Sequence, residues 1–250
     1  MMLEIAARQA LACLDLTSLN DADTAADIEA LCQRAQTPFG NVAAVCVWPR
    51  FVAQARALLP GSIRVAAVAN FPDGALDLPR ALADAASIAQ AGGDEVDVVL
   101  PYRALIAGRR SQVSEFLSEV RFATRPLTLK VIIESGELKT PELIAEATRL
   151  ALLEGADFVK TSTGKSAVSA TLEAARVMLR EIQSSGLANA GFKASGGIRT
   201  VADAAQYLTL VQATIGTVSP QRLRFGASGL LADIESVLSG AMVTTEPSSY

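Results

Sequence analysis

The chain has 250 residues, half of them hydrophobic and only 5% aromatic, and its 22 Lys and Arg against 26 Asp and Glu give a formal charge of −4. That balance, without any basic stripe, excludes the phosphate-neutralising surface on which nucleic-acid binding depends, and the apolar content excludes disorder. Histidine is absent altogether, which removes the commonest zinc ligand, the Ser-His-Asp triad and the most frequent general base together.

The first residues lack the basic start and long apolar run of a secretory signal. Glu4 and Arg8, four apart, suit a helix over 2–9. No stretch reaches the ~18 consecutive apolar residues of a membrane span. Cys13, Cys32 and Cys46 are odd in number and form no CxxC, which points to a reducing compartment and so to the cytoplasm.

Short β-rich runs then recur between helical stretches, at 13–17, 42–48, 64–70, 95–100, 127–134, 157–163, 190–196 and 224–228. The helices carry their own punctuation. Pro79 opens a helix over 79–91 succeeded by Gly92 and Gly93, and Thr140 with Pro141 opens one over 141–154 closed by Gly155. Eight βα units in a chain of this length predict an α/β fold, a closed (β/α)8 TIM barrel, because a doubly wound sheet has fewer strands and a glycine fingerprint after the first. The reading is one barrel domain over 1–250, with an extra N-terminal helix across its floor and a flexible, polar C-terminal tail over 240–250.

Charged residues inside apolar strands need a reason. Asp15, Asp97, Lys130, Lys160 and Lys193 fall in strands one, four, five, six and seven, and the barrel mouth brings such strand ends together. Alternation puts Lys160 with Ser162 and Asp97 with Val99 on one face. A single buried lysine reads more simply as one half of an ion pair. Three lysines facing two carboxylates cannot all stay charged, and desolvation beside another cation lowers a lysine's pKa, which makes one of them a Schiff-base nucleophile.

The glycine-rich segments SGGIRT (195–200) and GASG (226–229) come after strands seven and eight, where barrels bind phosphate with backbone N–H groups. An anionic substrate is expected. Cys46 has no histidine to activate it and reads as a pocket-lining filler, Trp48 reads as packing, and Arg109, Arg110, Arg222 and Arg224 read as solvated charges.

The segments LDLTSLND (14–21), AAVCVWPRF (43–51), DEVDVVLP (94–101), LKVIIESGELK (129–139), FVKTSTGK (158–165), GFKASGGIRT (191–200) and RFGASGLL (224–231) together resemble the deoxyribose-phosphate aldolases over nearly the whole chain. The resemblance implies cleavage of 2-deoxyribose 5-phosphate through a lysine Schiff base, in deoxyribonucleoside catabolism, with no cofactor and no metal. It makes Lys160 the Schiff-base former and Lys193 the neighbour that lowers its pKa. Asp97 becomes the proton donor and acceptor, with Asp15 and Lys130 completing the network and the C-terminal Tyr250 assisting proton transfer. Substrate and phosphate contacts are implied at Thr17, Cys46, Thr163, Gly164, Lys165, Gly196, Gly197, Gly226, Ser228 and Gly229.

Two departures from the family pattern stand out. Gly229 stands where many relatives carry a second serine, which removes a phosphate-binding hydroxyl, and KASGG stands where some have KPAGG. The expected partners are a small sugar phosphate and aldehydes, with neither nucleic acid nor membrane, and a homodimer is left open. From the residues alone, another sugar-phosphate lyase or isomerase, or a non-catalytic sugar-phosphate-binding barrel, remains an alternative.

Overall fold

Runs of Val, Ala, Leu and Ile build eight strands in the computed structural model, which describes residues 2–240. They are β1 (Leu14–Thr17), β2 (Ala44–Val47), β3 (Arg64–Ala69), β4 (Glu95–Val99), β5 (Thr128–Ile132), β6 (Phe158–Lys160), β7 (Gly191–Ser195) and β8 (Leu223–Ala227). Each pairs in parallel with its neighbours in the chain, and β8 pairs with β1 to close the barrel. The predicted fold class is the observed one. Seven of the strands are shorter than expected, by one to four residues and most of all β6, which ends at Lys160, while β8 keeps its expected length one residue earlier.

Helices alternate with the strands because the sequence signals their starts. The Thr140 side chain accepts from the N–H of Leu143 at the head of Pro141–Leu153, and Asp77 does the same for Arg80 at the head of Leu78–Gln90. Thr24 with Asp27 and Thr200 with Asp203 form capping boxes, which satisfy N–H groups that a helix start leaves unpaired. The glycines expected after two helices, Gly92 and Gly155, take φ of +83° and +84°, a left-handed conformation open to glycine at little cost.

The N-terminal helix runs over Leu3–Ala12, longer than predicted. It buries Ala6, Ala7, Ala10 and Leu11 against the helices Val201–Ile215 and Leu230–Leu238. A two-stranded antiparallel hairpin, Gln36–Thr37 with Gly40–Asn41, precedes β2 and is an addition to the predicted elements. The tail expected to be flexible lies, but for Gly240, outside the described residues. Among the described residues no helix is long and apolar enough to cross a membrane.

Candidate active site

Register decides which side chains meet. Lys160 pairs across β6 and β7 with Lys193, Arg224 across β8 and β7 also with Lys193, and Asp97 across β4 and β5 with Lys130. Paired residues on parallel strands project from the same face of the sheet, so these charges converge inside the barrel. All are buried.

Asp97 is the hub. Its Oδ2 accepts from Lys160 Nζ at 2.8 Å and from Lys193 Nζ at 2.8 Å, while its Oδ1 accepts from Lys130 Nζ at 2.9 Å. Lys193 also donates to Asp15 Oδ2 at 2.5 Å. Asp15 Oδ1 accepts from Arg224 Nη1 at 2.6 Å, and Arg224 Nη2 donates to Glu95 Oε1 at 2.8 Å. Lys130 completes the lattice, 3.4 Å from Asp15 and in direct contact with Glu95.

The guanidinium of Arg224 sits 5.5 Å from the centre of the Phe158 ring. That ring fits because residue 191 is glycine, since a Cβ there would lie 2.3 Å from it. A small residue in β7 therefore makes room for the aromatic ring on which the Arg224 guanidinium rests.

Burial alone would raise the pKa of Asp97, but Lys130, Lys160 and Lys193 outweigh it and hold the carboxyl well below its ordinary range. Asp15 is depressed in the same way, its burial overcome by Lys130, Lys193 and Arg224. Burial would lower Lys193 and Lys130, yet Asp15 and then Asp97 raise both. Two ammonium ions and two carboxylates are thus locked as charges at neutral pH.

Cys46 lies 4.0 Å from Asp97 Oδ2, and burial, then the charge of Asp97, pushes its thiol pKa up. A thiol held protonated is no nucleophile, so the surroundings of Cys46 give it no part in covalent chemistry.

Beside this cluster the strand ends open into a cavity of about 420 Å³ lined by Thr17, Thr163, Gly164, Lys165, Gly196, Gly197, Gly226, Ser228 and Gly229. These are the expected substrate and phosphate contacts apart from Cys46, which lies by Asp97. Gly164, Gly196 and Gly197 turn with φ of +81°, +82° and +82°, left-handed angles a side chain would strain. Lys165 reaches from the β6 loop to donate to the carbonyl of Leu19 at 2.7 Å. Gly229 caps the helix Leu230–Leu238, whose N-terminus carries the partial positive charge that favours anions. Tyr250 lies outside the described residues.

Several residues of the site escape sequence reasoning. Arg224 is a correction: expected to be solvated, it is buried and binds Asp15 and Glu95. Its strand alternation with Gly226 is the signal that could have found it, as is the spacing of Glu95 two before Asp97. Asn20 and Arg199 also line the cavity; Arg199 belongs to the SGGIRT segment, whereas Asn20 stands outside both glycine-rich segments.

Gly226 has a steric duty as well. A Cβ there would lie 2.5 Å from Ser195 Oγ and 3.1 Å from Lys193 Cε. Gly226→Ala is expected to displace Lys193 and cut kcat by about 10- to 100-fold, the scale of an ångström's misplacement of a reacting group, with the circular dichroism spectrum unchanged. Wild-type kcat in a folded variant would show that Lys193 tolerates the shift.

A profile of the DeoC/LacD family aldolases matches residues 9–233. The chain belongs to that family. It is 49% identical over 250 aligned positions to the deoxyribose-phosphate aldolase of Agrobacterium fabrum, covering 98% of this chain and 96% of the relative. Among solved structures it resembles two proteins provisionally named deoxyribose-phosphate aldolase. The Coccidioides immitis protein has a TM-score of 0.82 and 31% identity, over 92% of this chain and 86% of that one. The Toxoplasma gondii protein has a TM-score of 0.87 and 25% identity, over 96% and 98%. The chain is a class I aldolase on a (β/α)8 barrel.

Proposed function

We propose that this aldolase cleaves 2-deoxyribose 5-phosphate reversibly to glyceraldehyde 3-phosphate and acetaldehyde, with Lys160 as the Schiff-base nucleophile. The single observation that carries the assignment of Lys160 is the charge arrangement. Four cations, Lys130, Lys160, Lys193 and Arg224, face three carboxylates, Asp15, Glu95 and Asp97. An enclosed cluster with one surplus positive charge is relieved when one lysine gives up its proton. Lys130 contacts three carboxylates and Lys193 two, whereas Lys160 contacts one, Asp97.

The neutral amine of Lys160 attacks C1 of the open-chain aldehyde, and loss of water leaves a protonated imine that serves as the electron sink. As the C3 hydroxyl loses its proton, the C2–C3 bond breaks and its electron pair moves toward the imine nitrogen. C3 leaves as the aldehyde of glyceraldehyde 3-phosphate, and the enamine is protonated at C2 and hydrolysed to acetaldehyde. Asp97, which touches the amines of Lys130, Lys160 and Lys193, takes the C3 hydroxyl proton through a water, and, held far below its ordinary pKa, passes it on rather than storing it.

The phosphate lies against Gly196, Gly197, Ser228 and the head of the last helix, where backbone N–H groups and the helix dipole favour it. Tyr250 assists protonation at C2. The chain acts as one barrel domain in the cytoplasm, a place suited to three buried free thiols.

The test is a cleavage assay with 2-deoxyribose 5-phosphate, with and without borohydride. Both products should appear, and borohydride with substrate should inactivate the enzyme irreversibly with a reduced adduct on the peptide carrying Lys160. Cleavage without an adduct would remove the covalent mechanism, and no cleavage would remove the substrate.

A further inference from the structure

We propose that Glu134 is a positioning residue that sets the Thr163–Lys165 segment as one wall of the anion site, and thereby sets the preference for phosphorylated over non-phosphorylated aldehydes. The inference rests on the phosphate site proposed at the barrel mouth. Glu134 comes just after β5, is 2% exposed, and takes φ +52° and ψ +60°, a left-handed conformation that a non-glycine residue adopts only where its surroundings hold it there. It has no ion-pair partner among the described residues, and it does not line the cavity.

Its carboxylate is spent on one loop. It accepts from the Thr163 hydroxyl at 2.5 Å and from the Thr163 N–H at 3.3 and 3.4 Å, and it lies 3.0 Å from the Ser166 hydroxyl, whose one hydrogen is divided between Glu134 and the Val168 carbonyl at 2.9 Å. Having donated to Glu134, Thr163 Oγ1 accepts the N–H of Lys165 at 3.0 Å. The amide between these two, Gly164 N–H, makes no hydrogen bond to the described residues, and Gly164 lines the cavity. The flanking amides are occupied, and the glycine amide is left for a ligand.

The two loops also touch backbone to backbone. A Cβ on Gly136 would lie 2.1 Å from the carbonyl oxygen of Val168, so the turn carrying Glu134 packs flush against the end of the 163–168 loop. Lys165 carries the same wall across to the β1 loop through its bond to Leu19. An ionised carboxylate is an acceptor at every lone pair and suits three donors, whereas a glutamine amide would turn an N–H toward one of them.

The experiment compares kcat/KM for 2-deoxyribose 5-phosphate and for 2-deoxyribose in the wild type, Glu134→Gln and Ser166→Ala. The ratio of the two values is expected to fall about tenfold in Glu134→Gln, mainly through KM for the phosphorylated substrate, and about two- to threefold in Ser166→Ala, the scale of a lost buried hydrogen bond. Ser166→Ala removes a single donor, so it keeps the test alive if Glu134→Gln does not fold. Equal losses on both substrates, or an unchanged ratio in a folded variant, overturn the proposal. A wild type indifferent to the phosphate removes the phosphate site and this proposal with it, which separates the two failures.

Discussion

Replacing Lys160 with leucine is expected to lower kcat/KM by a factor on the order of 10⁴ or more, the scale seen when one member of a concerted catalytic group is removed, while leaving the fold at least as stable. The second half of this expectation distinguishes chemistry from structure. Lys160 is buried to 2% exposure, and its charged partner is Asp97, which keeps Lys130 and Lys193. Leucine fills a similar volume and leaves three cations, Lys130, Lys193 and Arg224, facing three carboxylates, Asp15, Glu95 and Asp97. No unpaired buried charge is therefore created. Activity assays with thermal unfolding of the same preparations check it. A variant that loses both activity and several degrees of Tm would mean that the lysine's ammonium form holds the barrel together, and the assignment of Lys160 as the amine would fall.

Much of this site is legible in the sequence because strand alternation is a strong local rule. Lys160, Lys193, Lys130, Asp97 and Asp15 each break an apolar run, and a charge in such a run must find a partner. Counting three lysines against two carboxylates leaves out Glu95 and Arg224, which join the cluster. The imbalance survives because they bring one charge of each sign. Arg224 looks solvated in the sequence because it stands two residues after another arginine, Arg222, which ties the carbonyls of Ala190 and Ala188 outside the cluster; the strand start at Leu223 separates their fates. The part played by Glu134 has no sequence signal at all. It depends on a left-handed turn meeting a loop 29 residues away, and no periodicity encodes that approach. The hairpin at Gln36–Thr37 is silent for a related reason, as two-residue strands leave no pattern.

Asp15→Asn is expected to be the most destabilising single change in the cluster, by about 3–5 kcal/mol, the usual cost of stripping one partner from a buried ion pair. Its carboxylate contacts Arg224, Lys193 and Lys130, and asparagine would leave these three cations facing only Glu95 and Asp97. The sign of the pH dependence comes from the depressed pKa of Asp15, in which the three cations outweigh the burial that would raise it. A carboxyl held below its unfolded pKa of about 3.9 contributes stability that is fully present above that value and is lost as pH falls toward the folded one. Wild-type unfolding free energy should therefore decline from about pH 4 downward, and the Asp15→Asn curve should be lower at neutral pH and flatter in acid, with the two converging as the pH drops. Urea unfolding at a series of pH values measures both. Parallel curves would show that the carboxyl's charge is not what stabilises the cluster, and would leave the Phe158 ring and the Glu95–Arg224 pair to account for it.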